Sequence, residues 1–208
     1  MVRLGNSVLA LDSQQTDVAD AVRVRRRLGP AAGPRRALAR LPRRLRRTAE
    51  FVAAADMTFA ARENAGIGQT EVLMGIVPGG GRTQYLRERV GRNRALELLL
   101  TGDLVAADTA AAYGWINRAV PAADLDALVD TVAEKIAALS PEVIAAAKQL
   151  VPPADLTDSL RAENDAWVGL VSGDLPAKLM TSALEHGVQT PAGERDLESV
   201  MRDIAAAL

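Results

Sequence analysis

The 208-residue chain has no cysteine, which excludes a disulfide scaffold, a thiolate-ligated metal and a thiol nucleophile. Its one histidine, His186, excludes any site built from two or three imidazoles. Aromatic residues make up only 3% of the chain, so the core must come mainly from Ala, Leu, Val and Ile. No apolar run approaches the roughly 18 residues of a membrane span. The N-terminus lacks the basic-then-apolar order of a signal peptide. Together these predict a soluble, intracellular, cytoplasmic protein, long enough to bury a sizeable core in one domain.

Net charge is −1, but it is unevenly spread. Residues 1–50 hold 12 Arg against four acids (Asp12, Asp17, Asp20 and Glu50), whereas residues 51–208 hold 13 Lys plus Arg against 22 acids. The excess is concentrated in residues 23–47, RVRRRLGPAAGPRRALARLPRRLRR, with 11 Arg and no acid. Such a block repels itself and stays open unless an anion neutralises it, and its Gly-Pro pairs and Pro42 interrupt any helix. Residues 1–47 are therefore expected to be a basic, poorly ordered segment. A nucleic-acid arm is the functional alternative, since Arg neutralises phosphate well.

From residue 49 the chain reads as ordinary α/β protein. EFVAAA at 50–55 suits a helix interior, and TFAA at 58–61 suits a strand. VLMGIV at 72–77 is a second apolar run of strand type, stopped by Pro78-Gly79-Gly80-Gly81. Thr83 is placed to cap a helix beginning just after it, and RALELLL at 94–100 reads as helix ended by Gly102. Residues 108–113 form a short helix closed by Gly114. Residues 124–139 carry Leu125, Leu128, Val129, Val132, Ile136 and Leu139 as one helical stripe. Ser140-Pro141-Glu142 then supplies an N-cap, a proline in the first turn and an early acid. The helix behind it has Val143, Ile144, Ala147, Leu150 and Val151 on one face, ended by Pro152-Pro153. Residues 155–188 read as helical with weaker periodicity, and 196–208 as one more amphipathic helix.

Two acids, Glu50 and Glu71, lie beside apolar or glycine-containing stretches. Two carboxylates flanking a water make a workable acid/base device, but by spacing alone each reads more readily as a solvated or capping acid. PGGGRTQ at 78–84 is able to turn backbone N–H groups toward an anion. It lacks the Lys-Ser/Thr ending of a P-loop, which excludes nucleotide hydrolysis by that route. His186 reads as a surface residue near a helix end, and Trp115 and Trp167 as core or interface anchors.

Residues 68–121 resemble the enoyl-CoA hydratase/isomerase (crotonase) family. The family pattern runs GQPE, a short strand, G-[IL]-x-P-G-x-G-[GA]-T-Q-R-L, then VG, RALE, LTGD, an A-x-x-A helix and GLVN-VVP. Here it stands as Gly68-Gln69-Thr70-Glu71, Gly75-Ile76-Val77-Pro78-Gly79-Gly80-Gly81-Arg82-Thr83-Gln84, Val90-Gly91, RALE at 94–97, LTGD at 100–103 and GWINRAVP at 114–121. Ala49-Glu50-Phe51 with Ala54-Ala55-Asp56-Met57 matches upstream, and Ser140-Pro141-Glu142 downstream. The resemblance is dense over residues 48–151 and looser over 155–208. It implies an α/β fold: an incomplete crotonase-like ββα spiral (48–151) followed by a C-terminal helical region (152–208).

The resemblance also implies chemistry. Two backbone N–H groups polarise an acyl-CoA thioester carbonyl, and two glutamates handle the protons of the water that adds across the 2,3-double bond. Those glutamates map onto Glu50 and Glu71, with Arg47, Gly79 and Gly80 as substrate-binding positions. No metal and no cofactor are implied, coenzyme A entering only as the substrate's thioester. The implied partners are an acyl-CoA and a second chain, in a trimer-like homo-oligomer or with a paralogue. No membrane partner is implied.

The chain also departs from the pattern. Arg47 stands where an N–H-donating glycine is usual, Thr70 stands where proline is usual, and residues 1–47 carry no counterpart of the H-x-x-x-x-F-[SC]-x-G-x-D loop. This describes an N-terminally truncated or divergent member. Losing one oxyanion donor typically costs about 10²–10³ in turnover. Three readings therefore stand side by side: a hydratase or isomerase of 2-enoyl-CoA thioesters, a non-catalytic remnant acting through oligomerisation with paralogues, and a nucleic-acid binder using the arginine block.

Overall fold

The structure is a computed structural model that describes residues 38–41, 55–63, 65–152, 154–188, 190, 193 and 196–207, with the backbone alone at 38–41. In chain order the elements are β1 (Leu38–Leu41), β2 (Met57–Ala61), β3 (Gly66–Gly68), a 3₁₀ turn (Thr70–Met74), α1 (Arg82–Val90), α2 (Arg92–Thr101), β4 (Leu104–Ala106), α3 (Ala107–Tyr113), β5 (Arg118–Val120), a second 3₁₀ turn (Ala122–Asp124), α4 (Leu125–Ala137), α5 (Pro141–Leu150), α6 (Thr157–Val171), α7 (Asp174–Glu185) and α8 (Leu197–Ala207). They fall into two compact units. The first holds the described residues up to Ile67 with Ala106–Asp155, and the second holds Gly68–Val105 with Leu156–Leu208.

In the first unit β2 is the middle strand of a parallel sheet ordered β1-β2-β5. Its register sets Ala39 beside Thr58 and Leu41 beside Ala60, then Phe59 beside Arg118 and Ala61 beside Val120 on the other edge. A parallel strand flanked on both sides is covered on both faces, which is why TFAA is continuously apolar and small rather than alternating. Asn117 finishes the ladder. Its Oδ1 accepts from the Thr58 amide at 2.7 Å, and its own amide donates to the Thr58 carbonyl at 2.8 Å. α4 covers the sheet with Leu125, Val129 and Ala133, one residue per turn, which pack with Phe59 and Ala61. The expected stripe holds as far as Ile136. Leu139 lies past the helix end and is 50% exposed.

β1 falls inside the segment expected to stay open. There LARL borrows its backbone hydrogen bonds from β2. The other residues of 1–54, with EFVAAA's first five positions, lie outside the described residues.

α5 begins as expected: the Ser140 hydroxyl accepts from the Val143 amide and Pro141 occupies the first turn. Glu142 there is held below the usual carboxylate range, first by a hydrogen bond from its own backbone amide and then by the Ser140 hydroxyl. None of α5's residues is buried, and Val143, Leu150 and Val151 of its apolar face are exposed.

The second unit has a different plan. VLMGIV at 72–77, expected as a strand, instead ends the 3₁₀ turn at Met74 and reverses at Gly75, whose φ of 74° is left-handed. A strand cannot continue through that conformation, and glycine is the residue that adopts it at no steric cost. Leu73 and Met74 then pack on Leu179, Ala183, Met201 and Ile204, which α7 and α8 contribute. Gly68 is required by close approach, since a Cβ there would lie 2.5 Å from the Asp103 carbonyl oxygen. Arg202 of α8 ties the unit's chain segments, reaching Asp103 Oδ1 at 2.5 Å and the Thr101 carbonyl at 2.7 Å. No helix among the described residues is long and apolar enough to cross a membrane.

Candidate active site

Glu71 sits in the first turn of the 3₁₀ segment, and its side chain is 16% exposed. Its backbone is pinned as well: its carbonyl accepts from the Ile76 amide at 3.3 Å, and the Val72 carbonyl accepts from Gly75 at 3.1 Å. Arg82, the first residue of α1, points its guanidinium back to this turn, and its Nη1 donates to Glu71 Oε1. Gln69, 1% exposed, donates its Nε2 to the Arg82 carbonyl at 3.2 Å. The GQTE stretch thus grips Arg82 twice, at the main chain by Gln69 and at the side chain by Glu71.

The glycine loop before α1 was expected to present N–H groups to an anion, and an anion is there. It is the carboxylate of Glu163, in α6, only 6% exposed. Its Oε1 accepts from the Gly81 amide at 2.5 Å and its Oε2 from the Thr83 amide at 2.9 Å, while the Thr83 hydroxyl donates to Oε2 as well. This corrects the expectation that Thr83 caps α1. The helix starts two residues earlier, at Arg82, no side chain of its own caps it, and Glu163 satisfies its first donors from a distant helix. Gly81 holds φ 84°, and a Cβ there would come within 2.9 Å of Leu160. Gly79 lies against Trp167, whose Cδ1 would be 3.3 Å from a Cβ at that position. Residues 160, 163 and 167 lie on one face of α6, so a single helix face seats the loop.

Of the sequence-predicted site residues, Glu71, Gly79 and Gly80 all lie in this second unit, in and around the GQTE turn and the glycine loop. Glu50 and Arg47 lie outside the described residues. His186 is an exposed residue at the C-cap of α7, its Nδ1 2.8 Å from the Ser182 carbonyl, as its place near a helix end implied. Trp115 is 1% exposed and anchors the turn after α3, in the first unit. No cluster of three or more potential metal-ligating residues occurs among the described residues.

Sequence reasoning missed Arg82 and Glu163. Arg82 left a signal, standing where the pattern has glycine or alanine. Glu163 left none, because ENDAW reads as a solvated helix face beside Asp158, Arg161 and Asp165. Its burial depends on a loop 82 residues earlier.

A solved structure from Streptomyces avermitilis, provisionally assigned as an enoyl-CoA hydratase, is 56% identical and superposes with a TM-score of 0.80, over 85% of this chain and 65% of that one. The mitochondrial enoyl-CoA hydratase of Pongo abelii is 37% identical over 102 residues, 49% of this chain and 35% of its own. The short-chain-enoyl-CoA hydratase of Clostridium acetobutylicum is 31% identical over 139 residues, 65% of this chain and 53% of its own. The chain therefore spans between about a third and a half of the length of these two curated relatives. The family model for enoyl-CoA hydratase/isomerase matches residues 48–173, which take in β2 and run through the whole of α6. The chain belongs to the enoyl-CoA hydratase/isomerase family.

Proposed function

We propose that the chain serves the hydration or isomerisation of 2-enoyl-CoA thioesters, with Glu71 as the acid/base group and Glu50 as the second carboxylate. The observation that carries this reading is the placement of Glu71 within a matched family segment: fixed at backbone and side chain, and mostly shielded from bulk solvent. A carboxylate so placed takes a proton from the adding water, or returns one to the α-carbon of the enolate, in a fixed direction. Gly79 and Gly80 supply backbone that a thioester approaches closely, and Arg47 stands near the second carboxylate in sequence. The substrate brings its own coenzyme A, and no resident cofactor or metal is needed. A cytoplasmic place in fatty-acid breakdown or a related acyl-CoA route fits that substrate.

The test is crotonyl-CoA hydration, followed by loss of the enoyl absorbance, with Glu71→Gln as control. Turnover should fall by about 10²–10⁴ in the variant. Equal rates in both, or no turnover from folded wild-type protein, would sink the catalytic reading.

A second reading is favoured by exposed apolar residues: Val143, Leu150 and Val151 around α5, and Leu175, Met180 and Leu184 on α7. Helix faces of this kind suit contact with further chains, a trimer-like homo-oligomer or a paralogue. Under that reading the chain keeps its contacts whether or not it turns over substrate. Sedimentation of wild-type protein against Leu150→Asp separates an assembled species from a monomer.

A further inference from the structure

Arg82 lies between Gly81 and Thr83, whose amides one carboxylate holds. Glu163 accepts from the Gly81 amide on one side and from the Thr83 amide and hydroxyl on the other, and Gln69 holds the Arg82 carbonyl. The main chain at Arg82 is thus fixed on both flanks before its side chain is considered. That side chain then reaches Glu71, both groups being mostly shielded from water (11% and 16% exposed). An uncapped helix start would let the first turn fray and the Arg82 Cα drift. A drift of about 1 Å at a group that orients a catalytic acid is enough to cost roughly 10²-fold in rate.

We infer that Glu163 is a positioning residue: by holding the main chain on either side of Arg82 it aims the guanidinium at Glu71 and so sets the direction in which that carboxylate works. This rests on the proposed role of Glu71 and extends it to a residue that touches neither substrate nor reacting atoms. The burial of Glu163 supports the assignment. A helix acid whose only task was solubility would face water. This one is withdrawn from it and spends both oxygens on the loop. Leu160 and Trp167, flanking it on the same helix, close the loop against Gly81 and Gly79.

Two measurements test it, one of them independent of activity. The first is a thermal-unfolding cycle with Glu163→Gln, Glu71→Gln and the double variant, together with hydrogen exchange at the Gly81 and Thr83 amides. Glu163→Gln should speed exchange at both amides. The double variant should lose less in Tm than the two singles together, because both act through Arg82. Unchanged exchange, or strictly additive Tm losses, would overturn the inference whether or not the chain is an enzyme. The second is crotonyl-CoA kinetics. Glu163→Gln should lower kcat by about 10²-fold with little change in KM, and adding it to Glu71→Gln should cost nothing more. A change confined to KM, or multiplying losses, would also overturn it. Should Glu163→Gln fail to fold, Thr83→Val removes only the hydroxyl contact and should give a smaller effect of the same kind. A Thr83→Val protein with wild-type exchange at both amides and wild-type kcat would count against the inference. Wild-type protein without turnover defeats the catalytic proposal alone, and the exchange and Tm cycle still decide the role of Glu163.

Discussion

The two units place their polar groups differently. In the first, the interior around β2 is Phe59, Ala61, Leu125, Val129 and Ala133, and hydrogen-bonding side chains such as Asn117 and Ser140 work at the ends of strands and helices. In the second, an apolar cluster of Leu179, Ala183, Met201 and Ile204 exists alongside a shielded group of Gln69, Glu71, Arg82 and Glu163. Burying charge is costly even when it is paired, and a well-packed apolar replacement is often as stable or more so. The difference teaches where to look for chemistry. The first unit can be explained by burial alone, whereas the second withdraws charges from water in an arrangement that burial does not require.

That contrast can be broken or sharpened by experiment. The largest stability effect belongs to the apolar unit: Phe59→Ala should cost about 3–5 kcal/mol, read as a lower urea midpoint. A loss under about 1 kcal/mol would mean that β2 is not the centre of that core. A smaller effect is expected at Arg202, despite its bonds to Asp103, Glu198 and the Thr101 carbonyl. Its side chain is 40% exposed, so solvent screens these pairs, and Arg202→Met should cost at most about 1 kcal/mol. A much larger loss would extend the charged interior to α8.

The smallest effect is at Glu142, where the hydrogen bonds favour the ionised form. Because its folded pKa is lowered, its stabilisation is complete above the ordinary value of 4.5 and is lost as pH falls through the lowered value. Helicity of wild type should therefore exceed that of Glu142→Gln at pH 7, and the two should converge in acid. A difference that persists unchanged in acid would remove the charge from the explanation.

Much of the first unit was legible because its signals are local. The Ser140-Pro141 start, the closure at Gly114 and the α4 stripe each need only neighbouring residues, and each is where the sequence placed it. The second unit resisted for a physical reason. VLMGIV has the composition of a strand, but its Leu73 and Met74 are claimed by α7 and α8, and Gly75 turns the backbone away. Thr83 has the right chemistry for a cap, yet a distant carboxylate takes the amides first. Of the candidate site, Glu71 and the glycine loop were readable from the motif. Arg82 and Glu163 depend on contacts between segments far apart in the chain.

That separation has a consequence in time. Glu163 lies 82 residues after Gly81, and the second unit is interrupted by the whole of Ala106–Asp155. A ribosome adding about 5–20 residues per second needs roughly 4–16 s to travel that distance. Throughout that interval the first turn of α1 exists without the carboxylate that closes it, and the GQTE turn has been made without the face of α6 that seats the loop beside it. Synthesis that stops before α6 yields a chain with its Glu71–Arg82 segment complete in sequence and unfinished in structure.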